Sequence, residues 1–261
     1  MARGEGGGLN ETGESGVARI VRSGALHHSC GERTSPHAHV AWKVHVGIDA
    51  PVWVRGEGLE VGIDAGVRVV VAPPGWTHAT GAAGWSCAVF AAPGRLGAPW
   101  RGDRPFAIEG VAAERLVGLC RRYGERDRLD TPDFIQDTIA LSLGDLRRPR
   151  IDRRVGATIE ALEVDPDRPL RDLARAAGVS LDRLSRLVTR DTAIHLRRHA
   201  LWSRLMGLLS SNATHANLAA AAFDAGFADH AHLSRTYRAL LGRAPSEFDA
   251  PPDTVQPWSG T

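Results

Sequence analysis

The chain has 261 residues, enough for two domains that each bury a core of their own. With 43% hydrophobic residues and a formal net charge of +2, its composition is not that of a disordered chain, and charge alone does not argue for a polyanionic partner. No apolar run reaches the ~20 residues that a membrane span needs. The three cysteines, Cys30, Cys87 and Cys120, are too scattered for a cysteine-based metal site or a disulfide framework.

Residues 1–16 are Gly-rich and charged, without the apolar centre of a signal peptide, and read as a flexible tail. The chain is therefore expected to stay in the cytoplasm, with no membrane partner. From residue 17 to about 92 the sequence reads as short strands. Val40, Trp42, Val44, Val46 and Ile48 alternate with His39, Ala41, Lys43, His45 and Gly47. Further β-rich runs follow at Val52–Val54, Leu59–Ile63, Val67–Ala72 and Ser86–Ala91, separated by Gly and Pro. Short strands so spaced predict a sandwich or small barrel. From Val111 the period becomes helical. One stripe runs through Leu116, Leu119, Cys120 and Tyr123, and another through Phe134, Ile135, Ile139 and Leu143. This pair reads either as a dimerisation or inter-domain element or as one more layer of the N-terminal domain. That domain is taken as residues 17–146, with a short Arg- and Pro-containing linker at 147–150.

Residues 151–249 read as an all-helical domain, followed by a tail at 250–261. A first helix carries Ile151, Val155, Ile159 and Leu162. A second starts near Pro169, carries Leu170, Leu173, Ala174 and Ala177, and ends at Gly178. Ser180 is placed to cap a third, whose inward residues are Leu184, Leu187 and Val188. Two short helices joined by a Gly-containing turn make a helix-turn-helix. The same pattern returns downstream, with Asn217 as a cap, Ala221, Ala222 and Ala225 inside, and Gly226-Phe227 at the turn. A new helix near Asp229 follows, with Leu233, Tyr237 and Leu240 inward and Gly242 as its left-handed stop. Residues 197–210 join the two units as one helix. Arginine is concentrated here: ten lie between Arg175 and Arg243, against four acids. The apolar pattern predicts that the segment from about residue 151 folds by itself.

At these residues the chain resembles the AraC/XylS family of transcription regulators, over about Leu170 to Phe248. The match includes Gly178-Val179-Ser180 and Leu184-Ser185-Arg186-Leu187. Its second half includes Ala225-Gly226-Phe227-Ala228-Asp229, Leu233-Ser234-Arg235-Thr236-Tyr237-Arg238, Gly242 and Pro245-Ser246-Glu247-Phe248. Ala193 departs from it, standing where the family usually has Gly, and Val188 stands where an aromatic is common. The resemblance implies sequence-specific binding of double-stranded DNA with both recognition helices in the major groove. Carried over by position, the base-facing residues are Asp182, Ser185 and Arg186 in the first unit and His230, Ala231, Ser234 and Arg235 in the second. Arg190 and Arg238, a turn further on, fall to phosphates.

In that family the N-terminal domain is often a cupin-like β-barrel that binds a small effector and mediates dimerisation. Here His37-Ala38-His39 after Gly31 and Pro73-Pro74-Gly75-Trp76-Thr77-His78 resemble cupin motifs. The expected architecture is thus α+β: a cupin-like barrel with supporting helices, then an all-α domain with two helix-turn-helix units joined by a helix. The effector pocket is assigned to His37, His39, Trp53, Trp76 and His78, and a homodimer is a candidate assembly. Three imidazoles suit a divalent metal, with His45 as a substitute ligand. Yet Lys43 stands where metal-binding cupins carry Glu, and Ala82 where they carry Asn. The expectation is therefore no metal, no cofactor and no catalytic residue. The competing reading is a cupin-type metal-dependent enzyme with a helical accessory domain. An alkyl-transfer DNA repair protein would need a reactive cysteine cluster, which the sequence lacks. A helical module that binds no DNA would show a neutral or acidic face over Arg186 and Arg235.

Overall fold

The computed structural model describes residues 16–21, 24–31, 33–62, 66–91, 104–125, 131–143, 151–210 and 218–245. Residues 1–15 of the expected tail 1–16, the tail at 250–261, the linker at 147–150, the Asn217 cap and Ser246 to Phe248 lie outside them, while Gly16 begins the first strand. Nine strands are described: β1 (Gly16–Val21), β2 (Gly24–Cys30), β3 (Trp42–Gly47), β4 (Val52–Gly56), β5 (Leu59–Val61), β6 (Val69–Ala72), β7 (Ala79–Ala82), β8 (Trp85–Ala91) and β9 (Phe106–Ile108). They form a six-stranded sheet in the order β1-β2-β8-β3-β6-β9 and a three-stranded sheet in the order β5-β4-β7. All strand pairs among the described residues are antiparallel.

The alternation along β3 sorts its side chains between two environments. Trp42, Val44 and Val46 join Val69, Val71, Cys87 and Val89 on one face of the large sheet. Helices α1 (Gly110–Glu125) and α2 (Thr131–Leu143) cover that face with Leu116, Cys120, Phe134, Ile135 and Ile139. Leu116 and Ile135 are fully buried, and burial of such a side chain contributes about 1.5–3 kcal/mol. The amphipathic pair is thus a packed layer of the N-terminal domain. The other face of β3 carries Lys43 and His45 towards the small sheet, where Val52, Val54, Val70 and Ala72 form a further apolar cluster.

The helical domain contains α3 (Arg153–Val164), α4 (Leu170–Ala176), α5 (Leu181–Thr192), α6 (Leu196–Ser210), α7 (Leu218–Asp224) and α8 (His230–Leu241). The first helix-turn-helix unit has a core of its own. Val155, Ile159 and Leu162 meet Leu173, Ala174, Leu184, Leu187, Val188 and Leu196. The second unit does not. Trp202, Leu205 and Met206 of α6 and Phe227, Leu233, Tyr237 and Leu240 share one cluster with Val40, Ala41, Ala88 and Phe90 of the β-domain. Cutting the chain near residue 151 would strip Val40, Ala41, Ala88 and Phe90 from that cluster, which argues against the expectation that the C-terminal segment folds by itself. The apolar period of α6 shows that the helix is buried on one side but not which domain buries it.

Candidate nucleic-acid interface and buried histidine cluster

Local chemistry fixes both candidate recognition helices. Ser180 caps α5, its hydroxyl accepting from the Arg183 N–H at 3.2 Å, and Asp229 caps α8, its carboxylate accepting from the His232 N–H at 2.5 Å. The α8 helix stops at Gly242 with φ +73°, the left-handed cap expected from the sequence. The α5 helix stops the same way at Ala193 with φ +58°, so this position does require a left-handed backbone, and Ala occupies it under strain.

The residues assigned to DNA share the outer faces of these helices. Asp182, Arg186, Arg190, His230, Ala231, Arg235 and Arg238 are exposed, and Ser185 and Ser234 are half-buried beside them. In the protein alone Arg186 is held by Asp182 through an exposed i,i+4 ion pair of 2.5 Å, worth about 0.3–0.5 kcal/mol. Arg190 donates to Asp191 at 2.6 Å, and the same carboxylate accepts the Asp152 N–H at 2.8 Å. Burial would raise the Asp191 pKa, but these two bonds hold it below the usual carboxylate value. Arg190 is therefore tied to the start of α3.

The two units are braced against each other. Arg204 on α6 pairs with Asp167, in the turn before α4, at 2.9 Å. Asp167 also lies under the α7–α8 turn, where Gly226 has φ +74° and an added Cβ would fall 2.5 Å from Asp167 Oδ1. Glycine is needed there for backbone and for space.

The other constellation lies where the β-domain meets α8. His37 and His78 form an isolated antiparallel bridge, each N–H donating to the other's carbonyl at 2.9 and 2.8 Å. With His39 they form a buried trio with ring centroids 4.6, 4.7 and 5.6 Å apart. Each Nδ1 lies within hydrogen-bond distance of a carbonyl two residues away: Ser35 at 2.8 Å, Ala41 at 2.6 Å and Trp76 at 2.7 Å. A carbonyl only accepts, so each Nδ1 carries the proton and each Nε2 carries a lone pair. Burial, then the neighbouring histidines and Lys43, push the His39 pKa well below its ordinary value and that of His78 down to about 2. Lys43, itself buried, donates to the Thr80 hydroxyl at 2.6 Å.

Of the residues assigned to an effector pocket, His37, His39 and His78 come together, and Trp76 stacks on His78 at 5.7 Å. Trp53 does not join them. It lies on the face of β4 opposite Val52 and Val54, its ring against Gly81 and beneath the Arg55 guanidinium at 5.6 Å. The motifs had already grouped these three imidazoles; what residue spacing does not reveal is the His37–His78 backbone bridge that holds two of them side by side. Sequence reasoning also missed Arg198, whose guanidinium reaches from α6 to the Ala38 carbonyl.

Residues 173–250 match a family model described as a helix-turn-helix domain. No curated protein matches the chain. Among solved structures, ToxT from Vibrio cholerae aligns with a TM-score of 0.55 at 8% identity, covering 90% of this chain and 96% of that one. An unsaturated-fatty-acid-bound ToxT from strain SCE256 aligns at 0.53 and 11% identity, covering 90% and 94%. The AraC-like transcriptional activator CuxR aligns at 0.37 and 13% identity, covering 70% and 76%. The ToxT likeness extends over both domains and gives the fold. No helix among the described residues is long and apolar enough to cross a membrane. The C-terminal third thus carries a helix-turn-helix domain, the kind of unit that binds DNA, joined to a β-domain in a two-domain fold shared with ToxT.

Proposed function

We propose that this regulator reads a two-part DNA site with α5 and α8 under the control of a small molecule bound by the N-terminal β-domain. In this reading Asp182, Ser185 and Arg186, and His230, Ala231, Ser234 and Arg235, face base edges, while Arg190 and Arg238 hold phosphates. The observation that carries it is the repeated exposure of an arginine at the same, sixth, position of two capped helices of 12 residues each, in units braced by Arg204 and Asp167. The N-terminal residues of a recognition helix are the ones that reach the groove floor. The protein acts in the cytoplasm, carries no catalytic residues and is a candidate homodimer.

The effector assignment rests on the shared fold, since ToxT has been crystallised with an unsaturated fatty acid. The shared core of the second unit supplies the route for control. A shift of Phe90 would reach Trp202 of α6 across their ring contact, inside the cluster that also holds Tyr237.

Selection of bound fragments from the source genome by the full chain tests this reading. Enriched fragments should share two half-sites about one helical turn, roughly 10 base pairs, apart. Enrichment without a common motif would contradict it.

A further inference from the structure

We propose that Arg68 and Arg121 form a binding site for one phosphate-type dianion, free phosphate or a phosphate monoester, where the β3–β4 turn meets α1.

The two guanidiniums come from distant parts of the chain and converge on one atom. Arg68, just before β6, donates through Nε to the Gly47 carbonyl at 2.9 Å and through a terminal nitrogen to the Ile48 carbonyl. Arg121, near the end of α1, donates to the same Ile48 carbonyl at 3.2 Å. Two nitrogens bonded to one oxygen lie within about 6 Å of each other. The oxygen they share is held in place. The Gly47 N–H donates to the Arg68 carbonyl and the Ile48 N–H to the Trp85 carbonyl, both at 2.7 Å. A Cβ on Gly47 would fall 2.0 Å from the Ala50 carbonyl oxygen, so this tight turn requires glycine there.

The cluster lacks negative charge. Among the described residues, no carboxylate forms an ion pair with Arg68 or Arg121. Asp49, next to Ile48 in the chain, turns to Gly84, where an added Cβ would lie 2.2 Å from its Oδ1. Two cations gathered on a neutral carbonyl repel each other, and the carbonyl neutralises neither. An anion would. Each guanidinium offers about five N–H donors, of which Arg68 spends two and Arg121 one on these carbonyls. Arg121 is exposed and Arg68 half-buried, so the remaining donors are open to a small ion. The planar fork of a guanidinium matches the oxygens of carboxylate or phosphate. Two positive charges held this closely favour a dianion, and a tetrahedral phosphate presents oxygens to both forks at once.

A bound dianion ties the end of α1 to the β3–β4 turn, whose Ile48 packs in the same core as Leu116 and Cys120. Occupancy therefore stabilises the α1 layer on the large sheet. None of these residues lies on α5 or α8, so the site stands whether or not the DNA reading holds.

Full-length protein is titrated with inorganic phosphate by calorimetry, at an ionic strength held constant with chloride. Saturation near one phosphate per chain is expected, and glycerol 3-phosphate should compete. Arg121→Gln, at an exposed side chain, should weaken binding at least about tenfold, and Arg68→Gln should do the same. Phosphate should also raise the unfolding temperature of the wild type but of neither variant. This readout compares each protein with itself, so it holds if a variant is less stable. No saturable binding, or undiminished affinity in both folded variants, would overturn the site. A short DNA duplex separates the two sources of phosphate. Saturating duplex should leave phosphate affinity unchanged. Displacement of phosphate by duplex, lost in Arg121→Gln, would overturn the assignment to a free anion and give the site to the DNA backbone.

Discussion

Gly242 sits so close to His37 that an added Cβ would lie 2.5 Å from the ring Nδ1, and equally close to the Ser35 carbonyl. The last residue of the second recognition unit and a histidine of the β-domain are therefore packed as one piece. Gly242→Ala should cost more than the ~1–2 kcal/mol of a left-handed alanine, because backbone blocks the new methyl. Gly178, at φ +64° with open space around it, is the control and should cost only that backbone term. Denaturant unfolding of both variants measures the difference. Equal losses would show that the contact carries no energy.

Ala193 holds a left-handed backbone, is exposed and sits where a glycine would be unstrained. Ala193→Gly should stabilise the protein by up to about 1 kcal/mol, after the entropy cost of glycine in the unfolded chain. A lower unfolding midpoint would show that Ala193 makes a compensating contact.

His199 on α6 is buried with Nε2 2.9 Å from the Thr192 hydroxyl. That hydroxyl lies 2.8 Å from the Val188 carbonyl and donates its own proton there, so His199 donates to it. Burial lowers the His199 pKa to about 4. The folded state thus binds this proton less readily than the unfolded chain, whose histidine titrates near 6.5. The stability linked to it is complete above about pH 6.5 and declines as pH falls towards 4, by about 3 kcal/mol. Unfolding free energies measured across that window should slope upwards with pH, and His199→Gln should flatten the slope. An unchanged slope would remove His199 as the cause.

Much of the helical domain was legible because its signals are local. Ser180, Gly226, Asp229 and Gly242 each act within one turn of where they stand, and the structure uses them as caps or turns. The strands with strict alternation or β-branched runs, β3, β6 and β8, were legible for the same reason. Strands β7 and β9 lack such a run. What the sequence withheld is non-local: that Phe90 packs against Trp202 at 6.2 Å, that His37 pairs with His78, and that α1 and α2 cover the large sheet. Periodicity identifies a buried face, but the partner comes from topology. Trp53 was misassigned on those grounds, since an aromatic next to two inward valines on a strand faces the other way.

Asp182 pairs with the Arg186 guanidinium in the protein alone, so under the proposed DNA reading it should compete with DNA for that group. Asp182→Asn removes a negative charge from the face and frees the guanidinium, so affinity for non-specific duplex should rise about two- to fivefold, the scale of an exposed ion pair. Fluorescence anisotropy at low salt reads this directly. Weaker binding would mean that Asp182 orients Arg186 rather than restraining it.

The central claim is that α5 and α8 both read sequence. Binding of the full chain to a randomised site library, at two salt concentrations, tests it with Arg186→Ala, Arg235→Ala, Arg190→Ala and Arg238→Ala. Changing Arg186 or Arg235 should relax base preference at one position each, in separate half-sites, at about 1–3 kcal/mol. Changing Arg190 or Arg238 should weaken all sequences alike and reduce the salt slope by about one unit. Identical shifts across every base variant for Arg186→Ala and Arg190→Ala, or for Arg235→Ala and Arg238→Ala, would contradict the account.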